Sequence, residues 1–148
     1  VGCIPTTDLP SFVKVHGFIS KQTEAGYKKL ETLFSDAHFL IFPTKAETFG
    51  IVIAEASSYG LPSLSNKVGG ITSVISDGKN GQTFRLEDKP EKYCDYIQYY
   101  FRSRELYEQL ALSSFDEYNT RLNWGTSGRE VFYLVQKLLS LKSGIRKG

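Results

Sequence analysis

The sequence lacks the features that mark membrane-spanning and disulfide-stabilised proteins. Apolar runs such as 39–42 and 51–54 are far shorter than the roughly 20 residues that a membrane-spanning helix needs. The only two cysteines, Cys3 and Cys94, form no metal-ligand spacing, and no basic-then-apolar export signal begins the chain. We therefore predict a cytoplasmic protein without a membrane span or a disulfide bond.

The sequence also lacks runs of like charge and clusters of metal ligands. Its 18 basic and 16 acidic residues are interspersed and give a net charge of +2. No basic stripe of the kind that binds nucleic acid or an anionic membrane is present, so a nucleic-acid partner is not expected. The two histidines, His16 and His38, have no further ligands at metal-binding spacing, so we predict no metal cofactor.

Length and composition are those of a single globular domain over residues 1–148. The chain is 41% hydrophobic and 23% charged, which is typical of a soluble domain. It contains no methionine, and Val1-Gly2 is typical of the end of a strand rather than the start of a domain. We therefore expect the sequence to be an N-terminally truncated piece of a longer protein.

The first 86 residues alternate between the apolar periods of strands and helices. Alternation over 12–16 predicts a short strand with one buried face, and three- and four-residue apolar steps predict a helix over 24–37. The continuous apolar run 39–42 predicts a parallel strand buried on both faces. A further helix, strand, helical turn and edge strand are predicted at 51–60, 62–66, 71–75 and 82–84.

Residues 87–148 are predicted to be helical. Helices are expected from 88–90, from Ser103 and after Trp124. The last of them carries apolar residues on one stripe, at Val131, Leu134, Val135 and Leu138.

This order of elements predicts an α/β fold with a doubly wound parallel sheet in residues 1–86 and a helical C-terminal segment in residues 87–148. In such sheets ligands bind at the carboxyl ends of the strands. The loops 17–21, 43–50 and 66–72 are therefore expected on one edge.

Two acidic residues flank the predicted start of the second helix. Glu47 lies in the loop after the 39–42 strand, and Glu55 lies about one turn inside the helix. The backbone N–H groups of 49–51 would be donors at the positive end of this helix, which suits an anion such as a diphosphate. Nearby carboxylates accept hydrogen bonds from hydroxyls, so the pattern suits a ligand with phosphate and sugar. On these residues alone, two solvated surface charges are the commoner case.

The stretch 40–56 resembles the donor-binding lobe of glycosyltransferase family 4. Its two glutamates are separated by seven residues, with Phe-Gly after the first and Ala after the second, and Gly60-Leu61-Pro62 and Gly69-Gly70 follow. Family members are retaining, nucleotide-sugar-dependent enzymes with the two-lobed GT-B fold. The resemblance extends more loosely from Val1 to Phe84 and through Trp124. It implies that this chain is an incomplete, Rossmann-like C-terminal lobe of such an enzyme.

The resemblance also implies roles for individual residues. Glu47, the catalytic candidate, would accept hydrogen bonds from the donor-sugar hydroxyls, and Glu55 would hold the ribose hydroxyls. The backbone N–H groups that would hold the sugar and the distal phosphate belong to Thr48, Phe49, Gly50 and Ile51. The residues expected at the nucleobase and at the mouth of the cleft are Gly17, Phe18 and Ile19, and Gly69 and Gly70, respectively.

By this resemblance, the full enzyme transfers a hexosyl group from a UDP-, GDP- or ADP-sugar to an unidentified acceptor without a metal. The family's basic pair and its N-terminal acceptor lobe would both precede Val1. The chain alone is therefore expected to bind the donor weakly, to transfer nothing, and to be prone to dimerise through its truncated face. It also has Ile71-Thr72-Ser73 where many members have Pro-Glu, which puts the role of that glutamate in doubt.

Two other functions fit the same sequence. A non-catalytic module would keep the nucleotide pocket and bind without turnover. A protein-interaction domain of similar architecture would carry Glu47 and Glu55 as surface charges, and it would have no nucleotide affinity.

Overall fold

The computed structural model describes Gly2 and residues 4–145. Predictions that concern Val1 and Cys3 lie outside these residues. Cys94 is exposed and carries a free thiol. Of the helices that the structure describes, none is long and apolar enough to cross a membrane.

The chain forms two compact units, Val1–Ala37 and His38–Gly148. The boundary expected between residues 86 and 87 lies inside the second unit. The interpretation of residues 1–148 as a single domain stays a prediction.

The first unit carries the predicted helix α1 (Glu24–Asp36). The Thr23 side chain caps this helix by accepting a hydrogen bond from the Gly26 N–H at 3.2 Å. The strand predicted over 12–16 is wrong, because these residues have no strand geometry. A strand needs a neighbouring strand for its N–H and C=O groups, which an alternating sequence does not supply. The apolar side chains of 12–16 are also exposed to solvent, and Phe12 is 86% exposed.

The second unit is built on a parallel sheet of three strands. Their order across the sheet follows the chain: β1 (Leu40–Phe42), β2 (Ser63–Asn66) and β3 (Gly81–Phe84). The helices that follow β1 and β2 are α2 (Ile51–Ser58) and α3 (Ile71–Val74), and the C-terminal helices are α4 (Glu91–Phe101), α5 (Arg104–Thr120) and α6 (Trp124–Ile145). Because the strands are parallel, their carboxyl ends lie at one edge of the sheet.

Different helices cover the two faces of this sheet. On one face, Leu40 and Phe42 pack against a buried cluster from α2 and α3. On the other face, Leu64 and Phe84 pack against Tyr93 of α4. A parallel sheet covered on both faces confirms the predicted α/β, doubly wound class, and the helical C-terminal segment is also confirmed.

The prediction that β1 is buried on both faces is wrong for its central residue. Ile41 is paired with Leu64 of β2 and shares its face, yet Ile41 is 52% exposed. The reason is that α4 packs against β2 and β3 and leaves the edge strand β1 only partly covered.

The predicted apolar stripe of α6 is present but exposed to solvent. Val131, Leu134, Val135 and Leu138 are each 47–60% exposed. A helical period of apolar residues therefore identifies the helix, but it does not place this face in a core.

Two buried serines on one face of β2 differ in their hydrogen bonds. Ser65 Oγ donates to the Phe42 carbonyl at 2.6 Å, whereas Ser63 Oγ has no partner among the described residues. We expect Ser65→Ala to lower the free energy of unfolding by about 1 kcal/mol, because it removes one of two hydrogen bonds to the Phe42 carbonyl and leaves only the bond from the Thr44 N–H at 2.8 Å. Ser63→Ala removes an unpaired hydroxyl and is expected to leave stability unchanged or raise it. Urea denaturation of both variants measures this difference, and equal losses would contradict it.

Candidate functional site

The loop 43–50 leaves the carboxyl end of β1 and is held by residues of β2. Asn66 Nδ2 donates to the Thr44 carbonyl at 2.9 Å. Asn66 Oδ1 accepts a hydrogen bond from the Tyr93 hydroxyl at 2.8 Å, which fixes the orientation of the amide. One asparagine therefore ties this loop to the sheet and to α4.

The Glu47 side chain forms hydrogen bonds within its own loop. Its half-buried side chain accepts hydrogen bonds at Oε1 from the N–H of Thr48 at 2.9 Å and from that of Phe49 at 3.3 Å. These are two of the N–H groups expected to hold the sugar and the distal phosphate. Because the Glu47 carboxylate already accepts from them, an anionic ligand would compete with it there.

Helix α2 begins after a left-handed turn at Gly50, which has φ of +89°. The left-handed backbone favours glycine here, and a Cβ would also come within 3.0 and 3.1 Å of the Cδ1 atoms of Ile53 and Ile71, which would have to shift slightly. Glycine has no side chain to cap the first N–H groups of the helix, including that of Ile51. The start of this helix near Gly50 is confirmed.

The glycine pair Gly69-Gly70 packs against the backbone of the Glu47 loop, residues 43–50. The Gly70 N–H donates to the Glu47 carbonyl at 3.1 Å. A Cβ on Gly69 would collide with the Glu47 carbonyl oxygen, and a Cβ on Gly70 with that of Thr48. In this structure the close approach that these glycines allow is made by the protein's own backbone.

Glu55 is half-buried and lines a cavity of about 360 Å³ beside α2, the end of α5 and the start of α6. Phe49 and Ile51 line the same cavity, as do Arg121 and Trp124. Glu55 is therefore placed beside both apolar surface and polar groups.

Glu47 lines a different hollow, of about 430 Å³, which it shares with Lys45, Thr48 and Gly69. The structure thus brings Glu47 and Gly69 together, and it brings Glu55 together with Phe49 and Ile51. Apart from Gly50 and Gly70, which line neither, the predicted donor residues of the second unit are divided between two hollows that the loop 43–50 borders.

The predicted nucleobase loop, Gly17-Phe18-Ile19, lies in the first unit. Gly17 is left-handed with φ of +60°, and its carbonyl accepts a hydrogen bond from the Gly2 N–H at 2.6 Å. The Phe18 side chain is 83% exposed. The turn requires its glycine, and the role of this loop toward a nucleobase stays a prediction.

Arg121, at the end of α5, makes several hydrogen bonds around the end of α3. Its Nη1 donates to the Ser73 carbonyl at 2.6 Å, and its Nη2 donates to the Val74 carbonyl at 3.0 Å. Nε and Nη2 donate to Glu117 Oε2 at 2.9 and 2.7 Å. Burial alone would raise the pKa of the Glu117 carboxyl, but Arg121, a hydrogen bond from Ser76 and the charge of Lys79 together hold this pKa below its ordinary value.

The sequence analysis did not identify Asn66 or Arg121. A signal exists for Asn66, because a polar residue at the carboxyl end of a parallel strand often contacts the neighbouring loop. Arg121 gives no such signal, since its partners in α3 are far away in sequence. Among the described residues, no group of three His, Cys, Asp or Glu side chains could hold a metal ion. The expected independence of metals stays a prediction.

A family model described as glycosyl transferases group 1 matches residues 12–114. The chain belongs to this family. The match covers more than half of the chain and includes Glu47, Glu55 and the pair Gly69-Gly70. It confirms the predicted resemblance at the level of glycosyltransferases.

Curated relatives are longer than this chain. An uncharacterised 41.2 kDa protein in the cps region of Klebsiella pneumoniae is 39% identical over 61 residues, which are 41% of this chain and 17% of that protein. A D-inositol 3-phosphate glycosyltransferase of Nocardiopsis dassonvillei is 25% identical over 125 residues, which are 84% of this chain and 29% of that protein. The chain spans about a third or less of the curated relatives it matches.

Solved structures also share the fold of this chain. Sucrose-phosphate synthase from Thermosynechococcus elongatus superposes with a TM-score of 0.64 at 21% identity, over 78% of this chain and 29% of that chain. Anabaena HepE in complex with UDP superposes with a TM-score of 0.62 at 20% identity, over 71% of this chain and 29% of that chain. At such identities the likeness concerns the fold, and it agrees with the lobe of a GT-B glycosyltransferase.

Proposed function

We propose that this chain is the donor-binding lobe of a retaining glycosyltransferase that transfers a hexosyl group from a nucleotide sugar to an acceptor. The observation that carries the proposal is the loop in which Glu47 precedes the left-handed Gly50 and the start of α2, with Glu55 one turn further on. This loop lies inside the matched segment of a glycosyltransferase family. Uridine diphosphate sugars are the first donors to test, because HepE is solved with UDP and with UDP-glucose.

In this proposal each carboxylate contacts a different part of the donor. Glu47 accepts hydrogen bonds from hydroxyls of the transferred sugar, and Glu55 accepts them from the ribose. The N–H groups of Gly50 and Ile51, at the positive end of α2, face the distal phosphate. The N–H groups of Thr48 and Phe49 join them once the Glu47 carboxylate turns to the sugar.

Catalysis by the complete enzyme would then depend on positioning and electrostatics. A retaining transfer leaves negative charge on the departing diphosphate. Backbone N–H groups that already point at that position stabilise this charge and so lower the activation barrier. The start of α2 supplies dipoles but no cationic side chain. In this proposal the basic pair and the acceptor lobe are supplied by another segment. The 148-residue chain alone therefore binds the donor weakly and transfers nothing.

We expect Glu55→Gln to weaken UDP-glucose binding by about 10- to 100-fold, because a hydrogen bond to a charged acceptor contributes about 1.5–3 kcal/mol. Isothermal titration of the chain with UDP, GDP, ADP and UDP-glucose measures this effect. Glu87→Gln is the matched control, since Glu87 is an exposed loop carboxylate.

Equal affinities of both variants and the unchanged chain would assign Glu55 to the surface and contradict its donor role. A folded chain that binds none of these nucleotides at millimolar concentration would favour the interaction-domain alternative. If the chain is part of a longer polypeptide, the same titration and a sugar-transfer assay on that polypeptide distinguish an enzyme from a non-catalytic module.

A further inference from the structure

Arg121 contacts the Glu55 side of the candidate donor site directly and is connected to its Glu47 side through α3. It lines the cavity that contains Glu55. It also donates hydrogen bonds to the carbonyls of Ser73 and Val74, the last two residues of α3. The Glu47 loop packs against the other end of α3.

Helix α3 couples Arg121 to the Glu47 loop, because the helix is short and contacts one of them at each end. Ile71 and Val74 are fully buried, so α3 cannot slide without disturbing the core. Just before its first residue, the Gly70 N–H donates to the Glu47 carbonyl at 3.1 Å, and Gly70 has no space even for a Cβ beside Thr48. A displacement of α3 therefore displaces the backbone of Glu47.

The guanidinium of Arg121 is itself fixed by its surroundings. Its Nε and Nη2 donate to Glu117, its Nη1 donates to Ser73, and Nη2 also donates to Ser76 Oγ at 3.1 Å. The Glu117 carboxylate neutralises its charge, and Lys79 contacts the same carboxylate at 3.4 Å. With its N–H groups directed to protein acceptors, Arg121 is suited to holding α3 rather than to binding a phosphate.

We infer that Arg121 is a positioning residue, which fixes the Glu47 loop relative to the Glu55 cavity through α3. The inference rests on the proposed function for its consequence in donor binding. Its structural content, the link from Arg121 to the Glu47 loop, is independent of any ligand.

The test combines amide hydrogen exchange with donor titration in Arg121→Gln, Arg121→Lys and the control Arg104→Gln. Arg104 forms an exposed ion pair with Glu108 on α5. We expect amide exchange at Gly70 and Thr48 to accelerate at least 10-fold in Arg121→Gln. The reference is Leu40, whose N–H donates to the Pro62 carbonyl and whose exchange should change less. UDP-glucose binding should weaken at least 10-fold, and Arg104→Gln should change neither quantity.

Arg121→Lys separates geometry from charge. A lysine ammonium cannot reproduce the planar set of hydrogen bonds to two carbonyls and a carboxylate, so we expect it to restore little of the slow exchange or the binding. Full recovery by lysine, or acceleration at Leu40 as large as at Gly70 and Thr48, would overturn the inference.

The failure of the inference and that of the proposed function give different results. If the unchanged chain binds no nucleotide sugar, the proposed function fails, and the exchange data alone decide whether Arg121 holds the loop. If the unchanged chain binds UDP-glucose and Arg121→Gln binds it equally well with unchanged exchange at Gly70, the inference fails and the proposed function stands.

Discussion

Gly70→Ala is expected to lower the free energy of unfolding by about 3 kcal/mol or more, the upper range for forcing extra atoms into a packed site. Gly70 has φ of −78°, which alanine adopts without strain, so the cost arises from contact alone. The new Cβ would collide with the carbonyl oxygen of Thr48, and a backbone atom cannot swing aside as a flexible side chain can. We therefore expect the Glu47 loop to move and donor binding to be lost together with stability.

Gly128→Ala is the matched control for this substitution. Gly128 lies inside α6, and a Cβ there would meet no atom within 4 Å. Alanine favours a helix by about 1 kcal/mol over glycine, so this variant should be as stable as the unchanged chain or slightly more stable. Urea denaturation and amide chemical shifts of 47–49 measure both effects. A Gly70→Ala variant with normal stability and unchanged loop shifts would contradict the close contact.

Asn80→Ala is expected to lower the free energy of unfolding by about 4 kcal/mol, because it removes several buried hydrogen bonds at once. The Asn80 side chain is fully buried. Its Nδ2 donates to the Val74 carbonyl at 3.0 Å and to Ser57 Oγ at 3.3 Å, and its Oδ1 accepts from the Ser76 N–H at 2.8 Å. Ser57 Oγ in turn lies 3.4 Å from Ser114 Oγ of α5, so the network joins α2, α3 and α5.

Asn119→Ala provides the comparison, since Asn119 is an exposed residue on α5. Its loss should change stability by no more than about 0.5 kcal/mol. Thermal and urea denaturation measure both variants. A similar small loss for Asn80→Ala would mean that water or the neighbouring side chains replace the amide, and it would refute a structural role for the network.

The elements that could be predicted from the sequence are those in which local pattern and tertiary packing agree. Helix α2 has buried residues and a stop at Gly60 before Pro62, and the structure ends it at Ser58. The segment 12–16 has an equally regular alternation but no strand, because pairing depends on a partner that the segment itself does not encode. Ile41 shows the same limit on burial, since its exposure depends on which strands α4 covers.

The candidate site was predictable where its residues are close together in sequence. Glu47, Gly50 and Glu55 lie in one loop and the helix after it, so their spacing places them on neighbouring elements. It does not give the separation of Glu47 and Glu55 into different hollows. Asn80 illustrates what was missed: Asn80-Gly81 is a turn dipeptide by sequence, yet in the structure its buried amide links α2 and α3. Arg121 was missed for the same reason, since contacts at a separation of more than 40 residues follow from packing.

Trp124 gives this chain an intrinsic fluorescent probe. It is the sequence's single tryptophan, it is 87% exposed, and it lines the cavity that contains Glu55. Indole fluorescence therefore reports one place in the molecule without any label, against a background of nine tyrosines that selective excitation avoids. An occupant of the cavity that covers the ring would shift the emission to shorter wavelength, whereas one confined to the Glu47 hollow would leave the spectrum unchanged. The emission spectrum thus distinguishes which of the two hollows is filled.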